Sequence, residues 1–213
     1  AIFYSEKHLK EVFEKMEDYK TMNLDVNTFF EMTGMIGSIC NNPEDYASFY
    51  HNYRGKRYRH DQVHNLFGYY MTRSASEAFE RYVPEKRILL FSRASYIGMH
   101  RFGGIWQGDN ASWWSHLKMN VKMMPSLNMC GFLYTGADVG GFGADATEDL
   151  VLRWLEFAVF TPLLRNHSAR GTRRQEVYRF SHVEKFADVI GVRYQILPYI
   201  YSEYMKAALR NTM

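Results

Sequence analysis

Four short apolar runs, each ending on polar or charged side chains, constrain what this chain can fold into. Ile88-Leu89-Leu90-Phe91 ends on Ser92-Arg93, and Phe102-Gly103-Gly104-Ile105-Trp106 ends on Asp109. Phe132-Leu133-Tyr134 ends on Asp138, and Thr161-Pro162-Leu163-Leu164 ends on Arg165-Asn166-His167. Runs of this length, separated by amphipathic helices, read as buried parallel strands. In parallel sheets and barrels, chemistry gathers at the carboxyl ends of the strands. An arginine, two aspartates and a histidine delivered there point to a polar, neutral substrate, and a sugar is the first candidate.

The intervening segments supply the helices. Residues 5 to 20 place Leu9, Val12, Phe13, Met16 and Tyr19 at helical spacing, with Ser5 as the N-cap. From Met22 to Asp61, clusters such as Phe29-Phe30, Met35-Ile36 and Phe49-Tyr50 alternate with Gly34, Gly37 and Asn41-Asn42-Pro43. That is the pattern of an inserted lobe or a long ordered loop. Further helices are expected from about Val63 to Arg81, from Trp113 to Leu127, and after Thr147 as N-cap. A last one runs from His182 to Leu209 with an interruption near Leu197-Pro198. Strand–helix alternation four times over is an α/β fold. Four such units are half of an eight-stranded barrel and leave two open sheet edges. The chain therefore reads as an open doubly wound sheet or, preferably, as a piece of something larger.

Composition narrows the partners. With 26 basic and 23 acidic residues the net charge is +3, too small to argue for nucleic acid or a membrane surface. The 16% aromatic content suits stacking on a sugar, although most of those rings belong to a core. Cys40 and Cys130 form no disulfide framework, and Cys130, at the mouth of an apolar run, reads as a buried thiol. The sequons Asn110-Ala111-Ser112 and Asn166-His167-Ser168 lie where a glycan would block the site. With no signal peptide and no membrane-length apolar run recognised, the expectation is a bacterial cytoplasmic protein.

Three short motifs compete with the strand ends. His60-Asp61-Gln62-Val63-His64 has the spacing of H-E-x-x-H, but Asp replaces Glu and no third ligand comes after it, so a zinc site is not expected. Arg54-Gly55-Lys56-Arg57-Tyr58-Arg59 reads as a solvated basic loop. The glycines from Gly136 to Gly143 do not match G-x-G-x-x-G and give a tight turn rather than a phosphate cradle. Asp109 stands apart, because Arg93, Asp138 and His167 hold the same position on their own strands and Trp106 and Phe142 flank the aspartates. Hydrogen-bonding groups beside an apolar wall are what a sugar requires.

These residues resemble glycoside hydrolase family 31, the retaining α-glucosidases and their relatives. The resemblance covers nearly the whole chain and rests on Ser92-Arg93-Ala94-Ser95, Trp106-Gln107-Gly108-Asp109-Asn110, Gly136-Ala137-Asp138-Val139-Gly140-Gly141-Phe142 and Arg165-Asn166-His167. Residues 193–201, beginning Arg193-Tyr194-Gln195, are similar to the family's closing helix, and within the family the chain resembles the bacterial intracellular-type enzymes. The resemblance implies that Asp109 is the general acid/base. It makes Arg93, Asp138 and His167 ligands of the glucose hydroxyls and Trp106 and Phe142 the aromatic wall. It also implies the C-terminal half, strands 5–8, of a (β/α)₈ barrel over residues 63–213, with residues 1–62 as an insertion after strand 4.

One departure governs the mechanism. The family's nucleophile is the first Asp of Trp-x-Asp-Met-Asn-Glu-Pro, which does not occur here, and Ala1-Ile2-Phe3 is similar to the residues just after that motif. A retaining glycosidase needs two carboxyl groups about 5–5.5 Å apart, one the nucleophile and one the acid then base. The chain is thus expected to carry the acid and the sugar-holding groups of an α-glucosidase and to be inactive alone. No metal or organic cofactor is called for, and the substrate is an α-linked glucose oligosaccharide. The missing N-terminal half of the barrel is the implied partner. A non-catalytic sugar-binding protein and one half of a split enzyme are the alternatives; the oligomeric state is not specified.

Overall fold

The computed structural model describes residues 6–21 and 43–212. The expected cap at Ser5, and the clusters from Met22 to Asn42 with Cys40, lie outside the described residues. The chain divides into two compact units, residues 1–65 and 66–213.

In the first unit, α1 spans Glu6–Thr21 and α2 spans Pro43–Ser48. Strands β1 (Tyr50–Tyr53) and β2 (Lys56–Arg59) then pair antiparallel, with Tyr50 opposite Arg59 and Tyr53 opposite Lys56. This corrects the solvated basic loop to a hairpin. Arg54 (φ 49°) and Gly55 (φ 75°) are both left-handed, the two-residue turn that matches strand twist. The arginines are placed by alternation: Arg57 lies 3.8 Å over the Tyr50 ring, a cation–π contact that a loop would not impose. A single helical turn, α3, comes next at His60–Val63.

The second unit holds the parallel strands. Helix α4 covers Leu66–Tyr82, starting three residues later than the expected Val63 because α3 is a separate turn. Strands β3 (Phe91–Ser92), β4 (Gly104–Trp106) and β5 (Thr135–Gly136) form a parallel sheet in that order. Strands β6 (Asp138–Val139) and β7 (Arg165–Asn166) pair in parallel as well. Only Ala137 separates β5 from β6, and Leu163 donates its N–H to Thr135 O at 3.2 Å. The four runs thus lie side by side in chain order.

The ladders sit toward the polar ends of the runs. Ile88–Leu90, Phe132–Tyr134 and Thr161–Leu164 fall outside the strands proper, although Gly104 N–H still reaches Leu90 O at 2.8 Å and Ile105 N–H reaches Tyr134 O at 2.9 Å. Close approach is enforced by glycine: a Cβ on Gly104 would lie 2.1 Å from Tyr134 O. Apolar content marked the runs, while the backbone hydrogen bonds decided where they are strand.

Helices α5 (Trp114–Met129), α6 (Glu148–Ala158) and α7 (Val183–Arg210) come after their strands. Thr147 caps α6 as its sequence predicts, accepting from Leu150 N–H at 3.3 Å. The buried face of α6 (Leu150, Val151, Trp154, Leu155 and Ala158) packs with Ala137 and Val139 of the strand row and Phe186 of α7. At about 1.5–3 kcal/mol for each large side chain, this is the main core. A smaller one gathers Met99, Ile105 and Phe132.

Two expectations are corrected here. Helix α7 runs through Pro198 without interruption: the proline removes one backbone hydrogen bond, and the next turn closes with Ser202 Oγ donating to Pro198 O at 2.7 Å. Cys130 is exposed, since it closes α5 and donates its N–H back to Leu127 O and Ser126 O instead of entering a strand.

Candidate active site

The polar ends of the strands form one constellation. Arg93 comes after β3, Asp109 after β4, Asp138 opens β6, Arg165 opens β7 and His167 lies just beyond it. The Arg93 guanidinium lies 3.8 Å from an Asp109 carboxylate oxygen and 5.9 Å over the Trp106 ring. Arg165 approaches the same indole at 5.1 Å and bonds Asp138 Oδ1 through Nε at 2.7 Å. Phe142 and His167 are neighbours, with ring centroids 5.1 Å apart and planes inclined by 34°. Arg93, Asp109, Trp106 and Asp138 are linked in this way through Arg165; Phe142 and His167 form a second pair, and Arg165 is the counter-charge that sequence reading left without a role.

Asp138 has the most unusual environment. It is 0% exposed, and burial pushes its carboxyl above the usual carboxylate range, against the pull of Arg165, His167 and the Trp106 indole. The Trp106 indole N–H lies by this carboxyl and favours its charged form, although neither it nor Oδ2 makes a full hydrogen bond among the described residues.

Asp109 is different, with a side chain 47% exposed. The described residues therefore leave Asp109 open to solvent at the rim of its loop. That loop is nonetheless fixed. Asn110, 4% exposed, turns its amide onto Gln107 O and Gly108 O, and its own carbonyl accepts from Phe142 N–H at 2.6 Å and Gly143 N–H at 3.1 Å. Ser112 Oγ donates to Ala144 O at 2.8 Å. Gly141, at φ 84°, allows the two loops to touch: a Cβ there would stand 2.6 Å from Ser112 Cα. The engagement of Asn110 also closes that sequon to a glycan in the folded chain.

The histidine motif behaves as a structural cluster. His60 and His64 rings lie 5.7 Å apart on one side of α3, as the spacing predicts. However, His60 Nδ1 shares a 2.8 Å hydrogen bond with His51 Nε2, and His64 Nδ1 meets Asp61 O at 3.2 Å. Burial, then the neighbouring His51 and His64, lowers the His60 pKa. Asp61 is held by Arg59 at 2.8 and 2.7 Å instead of being poised as a base. Among the described residues no group of three or more His, Cys, Asp or Glu side chains is placed to hold a metal ion.

Comparison with known proteins decides the family. The glycosyl hydrolases family 31 TIM-barrel domain matches residues 3–203. The chain belongs to glycoside hydrolase family 31. It is 36% identical over 161 residues to alpha-glucosidase 2 of Bacillus thermoamyloliquefaciens, covering 74% of this chain and 20% of that protein. Against neutral alpha-glucosidase C of Mus musculus the identity is 32% over 148 residues, covering 68% of this chain and 16% of the relative. The family 31 alpha-glucosidase of Bacteroides thetaiotaomicron superposes with a TM-score of 0.65 at 34% identity, over 73% of this chain and 27% of that one. A Flavobacterium johnsoniae family 31 dextranase, solved with glucose, gives 0.68 at 28% identity over 78% and 21%. This family 31 chain therefore spans about a fifth of the curated relatives' length.

Proposed function

We propose that these 213 residues supply the acid/base half of a retaining α-glucosidase site. In this reading residues 63–213 are strands and helices 5–8 of the family barrel, and residues 1–62 are an insertion after strand 4. The observation that carries it is the set at the carboxyl ends of adjacent parallel strands: Arg93 with Asp109, Arg165 with Asp138, both arginines beside Trp106, and Phe142 with His167. Asp109 protonates the leaving oxygen of an α-glucoside and later deprotonates the attacking water. Arg93, Asp138 and His167 hold the hydroxyls of the terminal glucose, and Trp106 and Phe142 wall its C–H face. The pairing of a carboxylate, Asp138, with a guanidinium, Arg165, beside the Trp106 indole supports this assignment, since a sugar hydroxyl both donates and accepts.

The nucleophile is a carboxylate outside these residues, because no Trp-x-Asp-Met-Asn-Glu-Pro occurs among them and Asp138 is already committed to Arg165. Bound substrate and the nucleophile-bearing part of the barrel then enclose Asp109 and exclude water from it. The test is Asp109→Asn in the complete enzyme. Hydrolysis of an α-linked disaccharide should fall about 10²–10⁴-fold, the usual worth of a positioned general acid. The loss should be much smaller for an aryl glucoside whose phenolate leaves without protonation. An equal loss on both substrates removes Asp109 from the acid role.

A further inference from the structure

Gln175 lies on the segment between β7 and α7 and takes no part in the acid/base chemistry or in holding the sugar. It is 2% exposed, and its side-chain nitrogen faces an unusual set of acceptors. Nε2 lies 3.1 Å from Val139 O, 3.0 Å from Gly141 O, 3.2 Å from Asn166 Oδ1 and 3.5 Å from His167 O. Two N–H groups are thus shared among four oxygens. Asn166 returns the contact by donating Nδ2 to Gln175 O at 2.8 Å. An amide oxygen in that place would face four other oxygens, so the orientation is fixed by repulsion as well as attraction.

The oxygens belong to two different strand ends. Val139 and Gly141 lead from β6 to Phe142, while Asn166 and His167 are the end of β7. Among the described residues, one other backbone hydrogen bond joins these ends past the ladder, from Ala169 N–H to Phe142 O at 2.9 Å. The Phe142 and His167 rings, 5.1 Å apart, project from the two segments that Gln175 ties together. Gly140 and Gly141 bend the first segment with φ of 86° and 84°, and a Cβ on Gly140 would stand 3.4 Å from Gln175 Nε2. A glycine-rich turn has little stiffness of its own. Its carbonyls need a fixed donor to hold one geometry.

We propose that Gln175 is a positioning residue for the sugar subsite: its amide sets the separation of Phe142 and His167 by clamping the ends of β6 and β7. The proposal rests on the reading of those two rings as part of the glucose subsite. Gln175 acts through them and makes no direct contact with the acid Asp109, so its loss should loosen binding more than it slows protonation.

The test uses Gln175→Met in the complete enzyme, which keeps the side-chain length and removes both N–H donors. Asn166→Ala is a companion that removes the return bond to Gln175 O and one of the four acceptors. The first readout is the His167 imidazole carbon–proton resonance, assigned by its disappearance in His167→Asn, because the ring current of Phe142 reports their separation. The second is the split between KM and kcat for p-nitrophenyl α-glucoside, with Ki for glucose. The resonance should move, and KM and Ki should rise together about tenfold, what a displaced contact of 1.4 kcal/mol is worth. The change in kcat should be smaller and the pH profile should keep its shape. An unmoved resonance with KM and Ki unchanged, whatever the melting temperature does, overturns the clamp and leaves the glucosidase reading intact. A moved resonance in an enzyme whose parent neither cleaves the glucoside nor binds glucose supports the clamp and overturns the sugar reading instead.

Discussion

Asp138 is ionisable, fully buried and bonded through one oxygen only, so its two protonation states differ in how well the fold tolerates them. Burial outweighs Arg165 and raises its pKa, which fixes the sign of its effect on stability. A group whose folded value lies above its unfolded one contributes stability fully below the unfolded value, about 3.9 for Asp. That contribution is lost as pH rises through the folded value. Asp138→Asn holds the neutral form at every pH, so parent and variant should melt together near pH 3 and the variant should melt higher at pH 7. Thermal unfolding at the two pH values reads this directly, and a parent that gains on the variant as pH rises would show that Arg165 wins. Sugar affinity and turnover should fall together in the variant, and no glucosyl-enzyme should accumulate.

The partner substitution has the opposite outcome. Arg165→Met leaves the buried carboxylate without its cation, a loss of about 3–5 kcal/mol for a wholly buried pair. Arg165 is itself 32% exposed, so the lower end of that range is expected. Urea unfolding at pH 7 should therefore rank Arg165→Met well below Asp138→Asn. Equal midpoints would mean that the ion pair is a bystander to folding.

At the scale of elements, the site depends on two loops that touch more than on any single strand. Gly141→Ala would force a side chain into left-handed backbone and press its Cβ against Ala111 and Ser112. The Asp109 loop would then be displaced from Phe142, and activity should fall further than stability does. Thr147→Ala removes only the cap of α6, for about 0.5–2 kcal/mol and no change in KM. A comparison of unfolding midpoints with kinetic constants for the two variants separates site coupling from element stability. Similar kinetic losses in both would remove the special role of the loop contact.

Legibility in the sequence divides along the same line between local and distant contacts. The α6 cap, the α-helical stripes and the polar strand ends were readable because each is local: a Thr at the right offset, a 3.6-residue period, a charge after an apolar run. Strand limits were not, because the ladders depend on which carbonyl a neighbouring run presents, as with Ile105 N–H on Tyr134 O. The hairpin from Tyr50 to Arg59 was hidden by its charge, since basic side chains alternate there without a buried face. Pro198 is not a breaker here because it costs a single hydrogen bond in a helix of 28 residues that continues on both sides of it. In the site, Arg165 and Gln175 escaped notice for a related reason. Their importance lies in partners 27 and 36 residues away, Asp138 and Val139, and no local pattern encodes that.

The molecule as a whole presents two unfinished margins in its second unit. At one end of the strand row Ile88, Leu89 and Phe91 are 39%, 53% and 41% exposed, and among the described residues β3 pairs only with β4. At the other end, beside β7, a cavity of about 720 Å³ is lined by Tyr134, Pro162, Leu164, Tyr194 and Leu197. Apolar side chains along an unpaired parallel edge are an invitation to association, and all-parallel strands are normally covered on both sides. In the proposed barrel these margins are where strands 4 and 1 would pair, and the same strands would bring the nucleophile to Asp109. The two consequences are thus tied to one event. The 213 residues expressed alone should enhance the fluorescence of a hydrophobic dye such as anilinonaphthalene sulfonate and should not hydrolyse an α-glucoside. Addition of a polypeptide carrying the other four strands should quench the dye and restore turnover with the same concentration dependence. Dye release without turnover would place the nucleophile elsewhere. A chain that is monomeric and dye-silent on its own would mean that these edges are already complete, and the half-barrel reading would fall with them.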